Sequence, residues 1–354
     1  MGDFFELDDG RVVVLAVYDG HGRELGELAS EVAKDSVRES LSRAGVIARL
    51  RENSEAVMIE VFKQAHEAIR DSFRDKYVKL GVEVQDTEDG YLLKRSAPSQ
   101  PWTCTHGGTT ATVVVILDGW RMIVANVGDS TALWGGLDGE STTLHRELSA
   151  EHSPESVEEF DRVRAFKPCG QHPFPVPDMR FVYDAPSFSK SQCPPIFDFN
   201  DKGVARVTGN GRYYKNVRSE WATLVTTPPT AKFQDALAFT RSLGDLHLHV
   251  YGVSCRPAVM EYDLTALHSL CGGEYSTLLV CTDGVWDNWK YADIITACSG
   301  PELVSALQPA SAEAAAAGAQ KATDRLMQMN LKRAKEHFGT QADNMTAILC
   351  YISF

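Results

Sequence analysis

Two kinds of hydrophobic periodicity alternate along the chain and predict two kinds of secondary structure. Apolar residues recur at helical spacing over residues 24–43 and again over 54–79, which predicts two amphipathic helices. Continuous β-branched runs, VVVLAVY at 12–18 and TTATVVVIL at 109–117, predict buried strands instead. Towards the end, an Ala-rich stretch that closes with DRLMQMNLKRAKEHF predicts a long helix, and NMTAILCYISF predicts a last strand.

The turns between the strand-like runs indicate antiparallel pairing. Asp118-Gly119 separates two apolar runs, and Asp-Gly in that position is a strong hairpin signal. The order of elements therefore favours an α+β fold with two antiparallel sheets flanked by helices, and argues against a doubly wound nucleotide-binding fold. Residues 81–101 are polar and predict a loop. From about 153 to 240 the periodicity weakens among prolines and aromatic residues, as in long functional loops.

Composition and charge narrow the class of protein. The 354 residues are 44% hydrophobic and 23% charged, and no uncharged apolar run is long enough to predict a transmembrane helix. A net charge of −13 argues against binding to nucleic acid or to an anionic membrane surface. Eight cysteines without a CxxC pair indicate reduced thiols. We therefore expect an intracellular, cytoplasmic protein, although a targeting segment outside this sequence is compatible with the pattern.

Four aspartates stand at the ends of four separate strand-like runs. Asp19 follows VVVLAVY, Asp129 follows MIVANVG, Asp283 follows TLLVCT, and Asp343 precedes the last strand. One aspartate at a strand end is typical of a turn, but four suggest that the strand ends converge. Converging carboxylates repel one another unless a cation neutralises them.

The ligand types indicate which cation this would be. Carboxylate oxygens without thiolates suit Mg²⁺ or Mn²⁺. Gly20 and Gly284, each directly after an aspartate, would let a backbone carbonyl approach the ion closely. The sequence therefore predicts a two-metal site, which activates water and binds a phosphoryl group.

An ordered set of motifs resembles a known family from about Phe4 to the end of the sequence. VYDGHG, GGTTATVVV, ANVGDSTALW, TRSLGD, GVSCRPAV, CTDGVWDN and DNMTAI are similar, in this order, to those of metal-dependent serine/threonine protein phosphatases of the 2C type. The resemblance implies a four-layer α-β-β-α sandwich that forms a single catalytic domain over residues 1–354. Compared with the family pattern, the segment at about 164–235 is an enlarged, flap-like insertion, called the insertion below.

The resemblance also implies roles for individual residues. Asp19 would bridge two Mg²⁺ or Mn²⁺ ions, with the carbonyl of Gly20 as a further ligand, and Asp283 and Asp343 would complete the two sites. Asp129 and Asp287 correspond to positions that, together with Asp283, hold a weaker third ion. His21 corresponds to the proposed general acid, and Asp245 corresponds to a residue that supports the site.

The sequence departs from the family pattern at its start. It has no counterpart of the arginine that binds phosphate in the family, and only Asp3 stands where an acidic partner is expected. A hairpin turn at Asp8-Asp9-Gly10 would pair residue 3 with residue 15 or 16, near Asp19, which makes Asp3 a candidate metal ligand. The alternative is an ordinary charge near the terminus.

These observations predict an enzyme that hydrolyses phosphoserine and phosphothreonine in proteins. The resemblance implies in-line attack by a hydroxide that bridges the metals, without a phosphoenzyme intermediate. The alternative is a pseudophosphatase, which uses the same fold as a regulatory binding scaffold. We expect a monomer whose partners are its phosphoprotein substrates, and whose insertion selects among them.

Overall fold

The computed structural model describes residues 1–8, 10–137, 142–166, 168–169, 176–271, 275–299 and 312–353. The helices within these ranges are α1 (Gly26–Ser42), α2 (Val46–Glu52), α3 (Ser54–Lys79), α4 (Val157–Phe166), α5 (Leu246–His249), α6 (Leu264–Cys271), α7 (Asp283–Trp286), α8 (Tyr291–Cys298) and α9 (Ala312–Phe338). The strands up to residue 147 are β1 (Gly2–Leu7), β2 (Val12–Val17), β3 (Gly20–His21), β4 (Glu83–Asp86), β5 (Leu92–Arg95), β6 (Thr103–Cys104), β7 (Gly108–Thr109), β8 (Ala111–Leu117), β9 (Arg121–Val127), β10 (Thr131–Leu137) and β11 (Thr143–Glu147). The later strands are β12 (Pro168–Cys169), β13 (Val176–Pro177), β14 (Arg180–Tyr183), β15 (Phe197–Phe199), β16 (Ala205–Val207), β17 (Thr223–Thr226), β18 (Ala236–Leu237), β19 (Leu243–Gly244), β20 (Ala258–Asp263), β21 (Ser276–Cys281) and β22 (Ala347–Ile352).

Two antiparallel sheets form the centre of the fold. One has the strand order β1-β2-β8-β9-β20 and the other the order β11-β10-β21-β22. Side chains alternate across β2: Val12 and Val14 pack towards helices α1 and α3, whereas Leu15 and Val17 pack between the sheets. Both faces of this strand are therefore buried, which explains its unbroken apolar sequence.

Helices cover the outer face of each sheet. Helices α1, α2 and α3 pack on the five-stranded sheet, and helices α7, α8 and α9 pack on the four-stranded sheet through residues such as Trp286, Ile295 and Leu326. These layers confirm the predicted α+β, four-layer α-β-β-α sandwich. None of the helices described here is long and apolar enough to span a bilayer.

Two local predictions were wrong. The predicted loop at 81–101 contains β4 and β5, which pair with each other. The polar composition gave no sign of this pairing, because only Leu92 and Leu93 of the two strands are buried. The other residues of β4 and β5 are exposed or half-buried. The short helix α2, which the periodicity did not predict, packs through Val46 and Leu50.

The strand pairing explains why the four acidic strand ends meet. β2 and β9 both pair antiparallel with β8, so they run in the same direction and end at the same edge. A tight turn joins β9 to β10, whose first residue, Thr131, pairs with Cys281 at the end of β21. Cys281 also pairs with Ala347 at the start of β22. The segments that carry the four aspartates therefore leave the sheets at one corner.

Much of the insertion has a core of its own. Phe181, Tyr183 and Phe197 are buried against Phe160 of α4, whereas other aromatic residues of the insertion, Phe188, Tyr213 and Tyr214, are exposed. Phe174 lies outside the described residues. The insertion is therefore a packed unit rather than an extended loop.

A buried ion-pair network fixes α4 to the segment that precedes β19. Glu159 on α4 accepts hydrogen bonds from Arg162, from Arg241 and from Thr240 Oγ1, the last at 2.6 Å. Burial opposes ionisation, but the two guanidinium groups lower the pKa of Glu159 to about 2. The carboxylate is therefore charged and satisfied, and the segment that leads to Asp245 is held in place.

Candidate active site and metal centre

Asp19 and Asp283 lie close together at the corner where the sheets meet. Each carboxyl group affects the pKa of the other, and Asp343 and Asp129 are close enough to influence Asp19 electrostatically. Neighbouring carboxylates repel one another when both are charged. The arrangement therefore calls for a proton or for a cation between them.

A close backbone contact brings the loop of Asp343 to this corner. A Cβ atom at Gly284 would lie 2.0 Å from the carbonyl oxygen of Asn344, which is far inside van der Waals distance. Only glycine permits that approach. Thr282 N also donates to Thr346 O at 3.1 Å. The exposed carboxylate of Asp343 is consequently placed beside the segment that carries Asp283.

A second close contact fixes the segment after Asp19. A Cβ atom at Gly20 would lie 2.2 Å from the carbonyl oxygen of Gly26, at the start of α1. The backbone of Asp19 is held by Thr110, whose N–H donates to Asp19 O at 2.9 Å and whose Oγ1 accepts from Asp19 N at 3.1 Å. Residues 19–21 are therefore rigidly positioned between β7 and α1.

The carboxylates at this corner repel one another strongly. Burial, followed by the charges of Asp129 and Asp19, raises the pKa of Asp283 well above its ordinary value. Burial also raises the pKa of Asp19, and Asp343 and Asp129 add to the effect. Burial raises the pKa of Asp287 to about 6, although Lys215 opposes the shift. The carboxylates would ionise together only with a positive charge among them.

The ligand atoms fit a hard divalent cation. Oδ1 of Asp283 is buried, and none of the described residues forms a hydrogen bond with it. A buried carboxylate oxygen without a partner is costly, because it has lost its water and gained no donor. Carboxylate oxygens at a corner without thiolates suit Mg²⁺ or Mn²⁺. Asp19 and Asp283 thus offer oxygens of the kind that a metal centre needs, but among the described residues no three carboxylates of the corner have oxygens within 4.8 Å of one another.

His21 lies beside the acidic corner and is paired with Asp245. The Nε2 atom of His21 is 2.7 Å from Oδ2 of Asp245, and its ring packs edge-on against Phe239. Burial by itself would lower the pKa of His21, but the charge of Asp245 and the hydrogen bond to it raise the pKa above its ordinary value. Asp245 therefore contacts His21 directly, whereas the sequence implied only that Asp245 supports the site.

A cleft of about 580 Å³ joins these groups. Its walls include His21, Asp129 and Asp283, together with Arg23 and the insertion residue Arg180. No described residue forms an ion pair or hydrogen bond with the guanidinium group of Arg23, which is exposed. The cleft therefore combines an acidic floor with a free cation at its edge.

A smaller cavity of about 180 Å³ is lined by Asp129, Asp283 and Asp287, the first two of which also line the cleft. Lys215 and Arg218 of the insertion line the same cavity. Sequence reasoning missed both cations, since nothing in the spacing of the insertion indicates that they reach this corner.

Asp3 is placed differently from the other predicted ligands. It pairs with Ala16 across the β1–β2 hairpin, in the predicted register; Asp9, in the predicted turn, lies outside the described residues. Both carboxylate oxygens of Asp3 accept hydrogen bonds from Arg38 of α1, one of them at 3.1 Å. Arg38 thus neutralises Asp3, and this geometry gives no support to its prediction as a metal ligand.

Comparisons with known proteins agree with the fold. The family model described as "Protein phosphatase 2C" matches residues 5–168. The chain is 26% identical over 295 residues to "Protein phosphatase 1K, mitochondrial" of Xenopus laevis, covering 82% of this chain and 54% of the relative. It is 26% identical to "Probable protein phosphatase 2C 35" of Arabidopsis thaliana, covering 77% of this chain and 58% of that protein. The chain thus spans about half the length of these curated relatives.

A solved structure shares the fold. The crystal structure of serine-threonine phosphatase 2C from Toxoplasma gondii superimposes with a TM-score of 0.54 at 16% identity, and the alignment covers 97% of this chain and 86% of that one. At this identity the similarity shows the fold alone. Taken with the family model over residues 5–168 and the curated relatives, it supports a similarity of this chain to serine/threonine phosphatases of the 2C type.

Proposed function

We propose that this chain hydrolyses phosphoserine and phosphothreonine in protein substrates, with Mg²⁺ or Mn²⁺ as the cofactor. The observation that carries the proposal is the buried, unpartnered Oδ1 of Asp283 in a corner of aspartates, within the same cleft as the His21–Asp245 pair. Carboxylates for metals, a histidine and an open cleft are the parts that phosphoester hydrolysis needs.

The acidic corner would hold the ions. Two ions would be held by Asp19, by the carbonyl of Gly20, and by Asp283 and Asp343. Bound Mg²⁺ or Mn²⁺ would lower the pKa of water to give a nucleophile near neutral pH and would neutralise the phosphoryl oxygens. Attack in line with the leaving oxygen needs no nucleophilic side chain, and no phosphoenzyme would form.

His21 would protonate the leaving seryl or threonyl oxygen. Its Nε2 faces Asp245, which leaves Nδ1 as the nitrogen that can deliver a proton. Asp245 would hold the ring in place and stabilise its protonated form, so it acts as a positioning residue. A serine alkoxide is a poor leaving group, and protonation by a positioned acid typically contributes about 10²–10⁴-fold to the rate.

Arg23 would receive the phosphate or an acidic residue of the substrate. Arg23 lies at the edge of the same cleft, and none of the described residues forms an ion pair with its guanidinium group. A guanidinium group suits phosphate because it can donate two parallel hydrogen bonds. The insertion forms another wall of the cleft through Arg180 and Lys190, and we propose that it selects among phosphoprotein substrates.

Hydrolysis of a small aryl phosphate tests the proposal. Purified protein should be inactive with excess chelator and active after Mn²⁺ is restored. Asp283→Asn should abolish nearly all turnover, whereas Asp198→Asn, at an exposed position of the insertion, should not change it. Full turnover in excess chelator would contradict the proposal. A folded protein that binds Mn²⁺ without any turnover would favour the alternative of a regulatory binding scaffold.

A further inference from the structure

A short hairpin of the insertion, residues 213–222, is rigidly built and is called the flap hairpin here. Ala222 N donates to Tyr213 O at 3.0 Å, and Lys215 N donates to Glu220 O at 2.8 Å. Within the turn, Oδ1 of Asn216 accepts hydrogen bonds from the backbone of Arg218 at 3.0 Å and of Glu220 at 3.3 Å. The hairpin therefore presents its side chains in a fixed arrangement.

The flap hairpin is docked on the segment that carries Asp283 and Asp287. Val217 N donates to the carbonyl oxygen of Asp287, and Asn216 Nδ2 donates to its Oδ1, both at 3.2 Å. Arg218 donates to the carbonyl oxygens of Trp286 and Trp289, the latter at 3.2 Å. One oxygen of Asp287, a predicted ligand of the weaker third ion, is thus already occupied by the hairpin.

Docking places Lys215 in the wall of the smaller cavity. Lys215 lines this cavity with Asp129, Asp283 and Asp287, and all three interact favourably with its charge. Its Nζ also lies 3.8 Å from Oε2 of Glu220 on the opposite arm of the hairpin. A cation supplied by the chain itself therefore lies in the wall of the cavity that the predicted ligands of a third metal ion also line.

We propose that Lys215 takes the place of the third divalent cation at Asp129, Asp283 and Asp287, so that binding of an ion there competes with docking of the flap hairpin. The inference rests on the proposed metal centre and concerns only its third position. A tethered ammonium competes well because its local concentration is high, on the order of millimolar or above for a short tether. The two ions proposed at Asp19, Asp283 and Asp343 would not be displaced, because neither Asp19 nor Asp343 lines the cavity that contains Lys215.

Calorimetric titration with MnCl₂ alone tests the inference without any measurement of activity. Lys215→Met keeps most of the side-chain length and removes the charge. It should bind one more Mn²⁺ per chain than the wild type, or bind the weakest ion at least about tenfold more tightly, which corresponds to about 1.4 kcal/mol. Lys215→Arg keeps the charge and should titrate like the wild type. Lys202→Met changes an exposed lysine of the same insertion and should also leave the titration unchanged.

The outcomes separate this inference from the proposed function. If the wild type binds Mn²⁺ and hydrolyses aryl phosphate, but Lys215→Met has the same stoichiometry and affinities, the inference is overturned and the function stands. If the wild type binds no Mn²⁺, the metal centre itself is overturned. If Lys215→Met does not fold, Lys215→Gln is titrated instead, with the same gain expected. Loss of Mn²⁺ binding in a folded Lys215→Met variant would mean that the lysine supports the metals, which also overturns the inference.

Discussion

His21 Nε2 lies 2.7 Å from Asp245 Oδ2, so a carboxylate 224 residues further along the chain orients the proposed general acid. His21→Gln should lower turnover of a phosphoserine peptide by about 10²–10⁴-fold. It should affect an aryl phosphate much less, because that leaving group needs little protonation. Asp245→Asn should show the same dependence on the leaving group but a smaller loss of turnover. The asparagine keeps the contact with His21 and removes only the negative charge.

Steady-state kinetics on both substrates check this prediction. A residue that only maintains the fold would reduce the two rates by equal factors. Equal losses in His21→Gln would therefore assign His21 a structural role.

Arg23→Ala should weaken the binding of phosphopeptides. Charge-assisted hydrogen bonds contribute about 1.5–3 kcal/mol, so KM should rise by roughly 10–100-fold while kcat changes little. Arg206→Ala is a suitable control, because it removes an exposed guanidinium group from the insertion, outside the cleft. An unchanged KM in Arg23→Ala would mean that the phosphate is bound elsewhere.

Gly284→Ala should damage the metal centre more than it damages the fold. The added Cβ would overlap the carbonyl oxygen of Asn344 and push the loop of Asp343 away, at a cost of about 1–3 kcal/mol in stability. Mn²⁺ affinity should fall by at least about tenfold, since one ligand leaves its position. Calorimetry and chemical denaturation measure the two effects separately.

Gly81→Ala provides the matched control for that substitution. Gly81 has a φ of +72° and open space around its Cβ position, so alanine strains the backbone without displacing a neighbour. The substitution should lower the free energy of unfolding by about 1–2 kcal/mol and leave Mn²⁺ affinity unchanged. If both variants lose the same affinity, the contact between Gly284 and Asn344 does not position Asp343.

The buried His152 predicts that stability falls in acid. Burial lowers the pKa of His152 from 6.5 to about 3, so the unfolded chain takes up a proton at a pH where the folded chain does not. Its contribution to the free energy of unfolding is complete above pH 6.5 and is lost progressively as the pH falls towards 3. The expected slope is about 1.4 kcal/mol per pH unit.

His152→Asn tests this prediction. Nδ1 of His152 lies 3.2 Å from the carbonyl oxygen of Gly128, and an asparagine amide can donate there without titrating. Between pH 6.5 and pH 5, the free energy of unfolding measured by urea denaturation should fall by about 2 kcal/mol less in the variant than in the wild type. His337→Asn, at an exposed position on α9, should keep the wild-type slope. Identical slopes in all three proteins would contradict the prediction.

Local and pairwise patterns in the sequence predicted the fold well. The periodicity at 54–79 matches α3 residue for residue, and the Asp118-Gly119 signal lies at the β8–β9 hairpin. Convergence of the four aspartates could also be inferred, because antiparallel pairing determines which strand ends share an edge. These features depend on short-range periodicity and on strand direction, both of which are visible in one sequence.

Long-range side-chain pairing could not be predicted in the same way. The ion pair of Asp3 with Arg38 depends on which face α1 turns towards β1. No regular spacing of residues in the sequence indicates such a pair. The docking of Lys215 beside Asp287 depends on the path of the insertion, where periodicity is weak. The sequence therefore predicts the acidic corner but not the cations that approach it.

The separation of Asp19 and Asp343 along the chain has a consequence for refolding. Almost the whole described chain lies between them, and so large a loop must close before the two carboxylates can come near each other. Folding slows as contacts become less local. Denatured protein should therefore recover its helical signal early and its capacity to bind Mn²⁺ in the last kinetic phase. Metal ions would then stabilise only the native state, so they would slow unfolding and would not speed folding.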